Sequence, residues 1–127
     1  MPAIFAGLGL SDAVDEIGAN ESPHGREVLF LIDGLGDEVI EKYASYIPTL
    51  STFLKFARVQ TAFPSTTATS LATLTTGSLP GAHGMLGYTV QVPRSGGRVL
   101  NTLKWDERVD PAIWQPVPTL FERATAA

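Results

Sequence analysis

The sequence has no cysteine, no cluster of basic residues and no long apolar run, and each shortage excludes a class of protein. Without cysteine there is no disulfide, no thiolate nucleophile and no zinc site with cysteine ligands. Lys and Arg number 9 against 13 Asp and Glu, so the net charge of -4 favours neither nucleic acid nor an anionic membrane. The apolar run "VLFLI" at 28–32 is too short to span a bilayer. We therefore expect a cytoplasmic protein with neither nucleic acid nor membrane as a partner.

What is present is a globular composition with a layered pattern. The 127 residues are 44% apolar, enough for one core. Residues 1–26 are interpreted as a short helix, over 2–10, and a polar connection, and residues 27–127 as the main unit. In that unit "EVLFLID" (27–33) is typical of a strand buried on both faces, and Gly34 breaks the chain before a helix over 37–46.

The rest of the chain extends this pattern. A helix over 49–57 precedes a predicted strand, "RVQTAF" (58–63), and "FPSTTATSLATLTTG" (63–77) is a loop followed by a helix that stops at Gly77. Two extended segments around "PRSGG" predict a hairpin, and "TLFERATAA" predicts a last helix. That helix has neither a C-cap nor a following strand, so we expect the chain to be cut off within an α/β repeat.

The chemistry is expected where the two predicted strands end. Ligands of open α/β sheets gather at the carboxyl ends of parallel strands, where Asp33 ends one strand and "FPSTT" follows the other. A divalent metal held by Asp33 could also bind a threonine oxygen at the helix N-terminus and lower the pKa of that hydroxyl. An aspartate at a strand end before glycine is more often a turn residue or a helix cap, so the pair alone leaves both interpretations open.

The order of the motifs carries more information. The segments "VLFLIDGLGDEVIEKY", "PTLSTFL" and "FPSTTATSLATLTTGSLPGAHGMLGY" together resemble the type I phosphodiesterase and nucleotide pyrophosphatase family of the alkaline phosphatase superfamily. The resemblance spans about residues 27–127. It implies a three-layer α/β/α alkaline-phosphatase-like sandwich, of which this chain is the N-terminal part, with a β-hairpin inserted after the nucleophile helix.

The resemblance also implies roles for particular residues. Asp33 matches the metal ligand, and Thr67, three residues after Pro64, matches the nucleophile that also contacts metal. The N–H of Thr67 or Ala68 would bind the phosphoryl oxygens together with Ser70, which stands where the family often has Asn. Structural roles are implied for three further residues: Gly34, Gly77 and His83.

Neighbouring threonines are weaker candidates for the nucleophile. A helix that begins at or next to Thr67 directs its free N–H groups at whatever this side chain attacks. Thr66 would face away along the loop, and Thr69 lies most of a turn inside the helix. Trp105 and Trp114 could belong to a substrate rim, or they could cover the edge of the core.

The implied activity is hydrolysis of phosphate esters or nucleotide pyrophosphates through a phosphothreonine, with two divalent metal ions, zinc being expected, and a phosphorylated small molecule or nucleotide as substrate. The family's other Asp and His ligands lie beyond Ala127, so we expect this chain alone to hold at most one metal weakly and to be inactive. An exposed sheet edge would favour self-association. The alternative is a non-catalytic binding or assembly module that keeps the front half of the fold.

Overall fold

A computed structural model describes residues 1–19, 26–53 and 57–127. His24 and part of the helix predicted over 49–57 lie outside the described residues. The helices are α1 (Pro2–Gly7), α2 (Asp37–Lys42), α3 (Pro48–Ser51), α4 (Thr67–Thr76), α5 (Pro80–His83), α6 (Pro111–Trp114) and α7 (Leu120–Ala126), with a 3-10 turn at Ala44–Tyr46. The strands are β1 (Thr89–Gln91) and β2 (Val99–Asn101).

A cluster of buried apolar residues joins the N-terminal and C-terminal helices. Phe5 of α1, Leu10 and Leu120 of α7 form a buried cluster, and the Phe5 ring meets Phe121 edge-on with centroids 5.1 Å apart. The start of α7 is fixed by a capping box, in which Thr119 and Glu122 each accept a hydrogen bond from the other's backbone N–H. The N-terminal helix therefore packs against the C-terminal one.

The hairpin is present where the sequence predicts two extended segments. β1 and β2 pair antiparallel, with Val90 opposite Leu100, and the turn between them contains Gly96 and Gly97 at φ of 70° and 93°. Glycine suits these positions because positive φ is strained for residues with a Cβ. Leu100 is completely buried, so the hairpin is anchored to the body of the protein through β2.

The predicted strands over 27–33 and 58–63 are wrong as strands, since β1 and β2 are the only strands in the described ranges. Val28 is 93% exposed and Phe30 76% exposed. An apolar run forms a buried parallel strand only if neighbours bond its edges and helices cover its faces. Neither α2 nor α3 has a buried residue, so these helices do not cover the faces of residues 27–33.

The helices are shorter than the sequence pattern predicts. The helix predicted over 37–46 is divided into α2 and the 3-10 turn, and α1 ends at Gly7 rather than residue 10. The described helices and the small sheet are compatible with a fragment of an α/β fold. None of the helices in the described ranges has the length and apolar character that a membrane crossing needs.

Candidate functional site

Helix α4 begins and ends where the sequence predicts, at Thr67 and just before Gly77. Thr66 is the N-cap residue: its Oγ1 accepts a hydrogen bond from the Thr69 N–H at 3.5 Å and donates to the Thr69 hydroxyl at 3.0 Å. Gly77 ends the helix in the left-handed conformation, with φ of 68°. The cap uses the hydroxyls of Thr66 and Thr69. The hydroxyl of Thr67, the first residue of the helix, takes no part in it.

The hydroxyl of Thr67 faces Asp33. Its Oγ1 donates a hydrogen bond to Oδ2 of Asp33 at 3.2 Å, across 34 positions of the chain. This distance agrees with the prediction that the two side-chain oxygens lie within reach of one metal ion. Asp33 does not act as the cap of α2, because the N-cap residue of that helix is Gly36. A carboxylate and a hydroxyl are therefore paired at the start of α4.

Two backbone N–H groups accompany this pair. The N–H groups of Thr69 and Ser70 are bonded to the side chain and the carbonyl of Thr66. Within the described part of the chain, no bond is found for the N–H groups of Thr67 and Ala68, the first two residues of the helix. Such N–H groups carry the partial positive charge of a helix N-terminus and attract anions.

The pair opens into a cleft of about 1140 Å³, which also contains Ser70 and Thr61. The Oγ of Ser70 lies 3.1 Å from Oγ1 of Thr61. Thr61 was not identified as a site residue from the sequence. The only signal there was a hydroxyl inside an otherwise apolar segment, and a threonine in such a segment is unremarkable.

Three of the charged side chains that line the cleft pair with one another. Arg58 contacts both Asp37 and Glu41, the latter with an Nη2–Oε1 distance of 3.1 Å. The guanidinium is 64% exposed, so these ion pairs contribute little to stability. With two carboxylates beside one guanidinium, this end of the cleft is not a basic patch.

A comparison with known protein families shows which family the chain belongs to. The family model of type I phosphodiesterase / nucleotide pyrophosphatase matches residues 28–127. The chain belongs to this family. No curated protein and no solved structure matches the chain. The matched region contains Asp33, α4 and the hairpin, so the geometry described above lies entirely within the family's own segment.

A phosphodiesterase of this kind generally depends on metal, and the donor atoms of the cleft suit a divalent cation only in part. Asp33 and Thr67 offer oxygen ligands. Across residues 1–19, 26–53 and 57–127 there is no group of three His, Cys, Asp or Glu side chains that could hold an ion. Asp33 and Thr67 could thus form part of a metal site, and further ligands would have to complete it.

His83 is not among the described residues that line the cleft. Its ring is 1% exposed, Nε2 is 2.9 Å from the Thr73 hydroxyl, and Nδ1 accepts a hydrogen bond from the Met85 N–H at 3.1 Å. Burial lowers the pKa of His83 below its ordinary value of 6.5. A neutral ring with its hydrogen on Nε2 satisfies both contacts, and it connects α4 to the chain that follows α5.

This environment predicts that the free energy of unfolding depends on pH. With a lowered pKa in the folded state, His83 favours folding above pH 6.5, and this contribution is lost as pH falls toward the folded-state pKa. Between pH 7.5 and pH 5 the loss should approach at most about 2 kcal/mol, the limit for a histidine that stays neutral when folded. Urea unfolding across this pH range measures it.

The control is His83→Asn, which keeps an acceptor for the Met85 N–H and does not titrate. Because the variant retains His24, the difference between the two pH profiles isolates His83. A His83→Asn protein that loses as much stability toward pH 5 as the parent would contradict the assignment.

The two tryptophans do not belong to the cleft. Neither is among the described residues that line it. Trp105 donates a hydrogen bond from Nε1 to the Val109 carbonyl at 2.8 Å, and it lines a second, mainly apolar cavity beside Met85 and Pro111. Of the two interpretations that the sequence left open, covering the core edge fits Trp105 better.

Proposed function

We propose that this chain supplies the nucleophile and one metal ligand of a phosphohydrolase, which cleaves phosphate esters or nucleotide pyrophosphates through a phosphothreonine. The observation that carries the proposal is the 3.2 Å contact between Thr67 Oγ1 and Asp33 Oδ2 at the start of α4. Membership of the phosphodiesterase family supports the reaction class and a phosphorylated small molecule or nucleotide as substrate. Monoesters, diesters and pyrophosphates all fit these residues equally well.

Thr67 would act as the nucleophile. Its Oγ1 forms a bond to phosphorus in line with the leaving oxygen, whose bond to phosphorus breaks, and the hydroxyl proton passes to solvent. A divalent cation, when bound beside Asp33, supplies charge that lowers the pKa of the Thr67 hydroxyl. Water then attacks the phosphothreonine and releases the phosphoryl product, which restores the threonine.

The helix N-terminus would bind the transferred group. The N–H groups of Thr67 and Ala68 and the hydroxyl of Ser70 are donors near the start of α4. Donors that are fixed before the reaction stabilise the charge of a phosphoryl transition state, and each such donor is typically worth 10²- to 10³-fold in rate. Ser70 provides a single hydroxyl donor.

The metal centre requires ligands beyond Asp33 and Thr67. Catalytic zinc sites usually have three protein ligands, and a family centre of two metals needs more. We infer that the remaining ligands come from residues outside 1–127 or from a partner chain, and that zinc is the metal. On this basis residues 1–127 alone hold at most one ion weakly and turn over little substrate.

The family's three-layer sandwich would account for the exposed apolar segment, residues 28–32. In that fold the hairpin of β1 and β2 would be an insertion after α4, and residues 28–32, which do not form a strand in the structure, would be covered by further elements of the sandwich. The high exposure of Val28 and Phe30 supports this arrangement, because apolar side chains gain about 25 cal/mol per Å² on burial. The same exposed segment could also drive self-association.

The proposal predicts a contrast in activity. Purified 1–127 with added zinc or manganese should show no turnover above background with p-nitrophenyl phosphate, p-nitrophenyl phenylphosphonate, p-nitrophenyl thymidine monophosphate or a dinucleotide pyrophosphate. The polypeptide that the natural reading frame encodes should hydrolyse at least one of them in a metal-dependent reaction. Without the full set of ligands the threonine remains a neutral alcohol, and a helix N-terminus alone contributes only about 1 kcal/mol.

Two outcomes would contradict parts of this account. Metal-dependent turnover by 1–127 that disappears in Thr67→Ala would show that the missing ligands lie within this chain or in a second copy of it. A natural polypeptide that is inactive on every substrate would instead favour the non-catalytic module.

A further inference from the structure

The hydroxyl of Ser70 has an unusual partner for a serine within a helix. Serine and threonine in helices often donate to the carbonyl four residues earlier, and Thr75 and Thr76 do so here, to Leu71 and Ala72 at 2.8 and 2.6 Å. Among the contacts of the described residues, the Ser70 hydroxyl is bonded to Thr61 instead. The side chain of Ser70 is therefore held toward the cleft.

The contact joins two parts of the chain that form the cleft wall. Thr61 lies in the segment that leads to α4, and Ser70 lies in the first turns of the helix. Both side chains line the cleft that contains Asp33 and Thr67. As a β-branched residue, Thr61 has a restricted χ1 angle, so its hydroxyl is a well-defined partner.

The number of hydroxyl hydrogens determines which groups Thr61 and Ser70 can donate to. Each hydroxyl carries one hydrogen and can accept from other donors. When one of the two donates to the other, the accepting hydroxyl keeps its own hydrogen for a third group. If Thr61 donates to Ser70, the Ser70 hydrogen is free to point at an anion near the start of α4.

We propose that Thr61 is a positioning residue, which donates its hydroxyl hydrogen to Ser70 and so directs the Ser70 hydrogen at a non-bridging oxygen of the transferred phosphoryl group. The inference rests on the proposed function, because it needs a phosphoryl group on Thr67. Among the hydrogen bonds of the described residues, Thr61 is bonded to Ser70 and not to the nucleophile Thr67. Its effect passes through Ser70, which predicts that the contributions of the two residues are not additive.

The experiment is a double-mutant cycle in the polypeptide that the natural reading frame encodes. Thr61→Val keeps the shape and removes the hydroxyl, Thr61→Ser restores a hydroxyl, and Ser70→Ala removes the partner. We expect Thr61→Val to lower kcat/KM about tenfold and Thr61→Ser to recover most of it. In the Ser70→Ala background, Thr61→Val should have less than a twofold further effect.

Phosphate binding gives a second measurement that does not depend on turnover. Calorimetric titration with inorganic phosphate should give a Kd that is several-fold weaker in Thr61→Val than in the parent and unchanged by Thr61→Val when Ser70 is alanine. If the role of Thr61 were purely structural, Thr61→Val would lower the unfolding midpoint, and its effects on kcat/KM and Kd would simply add to those of Ser70→Ala.

The outcomes separate the two proposals. Equal effects of Thr61→Val with and without Ser70, or no effect on either kcat/KM or Kd, would overturn the role of Thr61 while leaving the proposed function intact. Turnover that persists in Thr67→Ala would overturn the proposed function, and the role of Thr61 with it.

Discussion

Replacing Thr67 with alanine is expected to lower kcat by on the order of 10³-fold or more in the active polypeptide, with little change in the melting temperature. Thr67 is the first residue of α4 and its side chain takes no part in the cap, which Thr66 provides. Removing the hydroxyl therefore removes the proposed nucleophile without weakening the helix. Initial rates with a p-nitrophenyl ester and a thermal melt of the same sample measure both effects.

The neighbouring threonine offers a matched control with the opposite outcome. Thr66→Ala removes the side-chain oxygen that accepts from the Thr69 N–H, and losing such a cap typically costs about 1 kcal/mol of stability. Its kcat should remain within a few-fold of the parent. An inactive Thr66→Ala protein beside an active Thr67→Ala protein would place the nucleophile one position earlier.

Asp33→Asn is expected to lower metal affinity by roughly 100-fold or more and to reduce turnover accordingly. The amide oxygen can still accept the hydrogen bond from Thr67, so the local geometry is kept while the negative charge is lost. Zinc content after dialysis against a metal buffer, measured beside kcat, checks the prediction.

Glu41→Gln is the control for a general loss of negative charge in the cleft. Glu41 lines the same cleft and pairs with Arg58 rather than with Thr67. This variant should bind zinc as the parent does. If Asp33→Asn and Glu41→Gln lose zinc equally, the effect reflects the net charge of the cleft and the assignment of Asp33 as a ligand is wrong.

The parts of the fold that could be predicted are those determined by neighbouring residues. The bounds of α4 follow from a capping threonine and from Gly77, and both signals act within one turn of the helix. The hairpin follows from two extended segments separated by a glycine-rich turn. The closeness of Asp33 and Thr67 was expected from the ends of two parallel strands, and it is present although neither strand is formed.

The parts that could not be predicted depend on distant partners. The run over 28–32 has the apolar pattern of a central strand, but a strand needs a hydrogen-bonded neighbouring strand, and the described part of the chain offers this run none. The contact between Thr61 and Ser70 likewise depends on how the loop before α4 folds back along the helix. No local pattern in "RVQTAF" indicates that its threonine faces Ser70.

The central claim is that Thr67 carries the phosphoryl group during turnover, and the most direct test is to trap that group. The active polypeptide is mixed with a chromogenic phosphate ester, quenched in acid within the first turnovers, digested and analysed by mass spectrometry. The account predicts one phosphate on the peptide that contains residues 63–77, with fragment ions that assign it to Thr67 and no such peptide from Thr67→Ala. Phosphate on Thr66 or Thr69, or steady turnover without any covalent phosphate at substrate saturation, would contradict it.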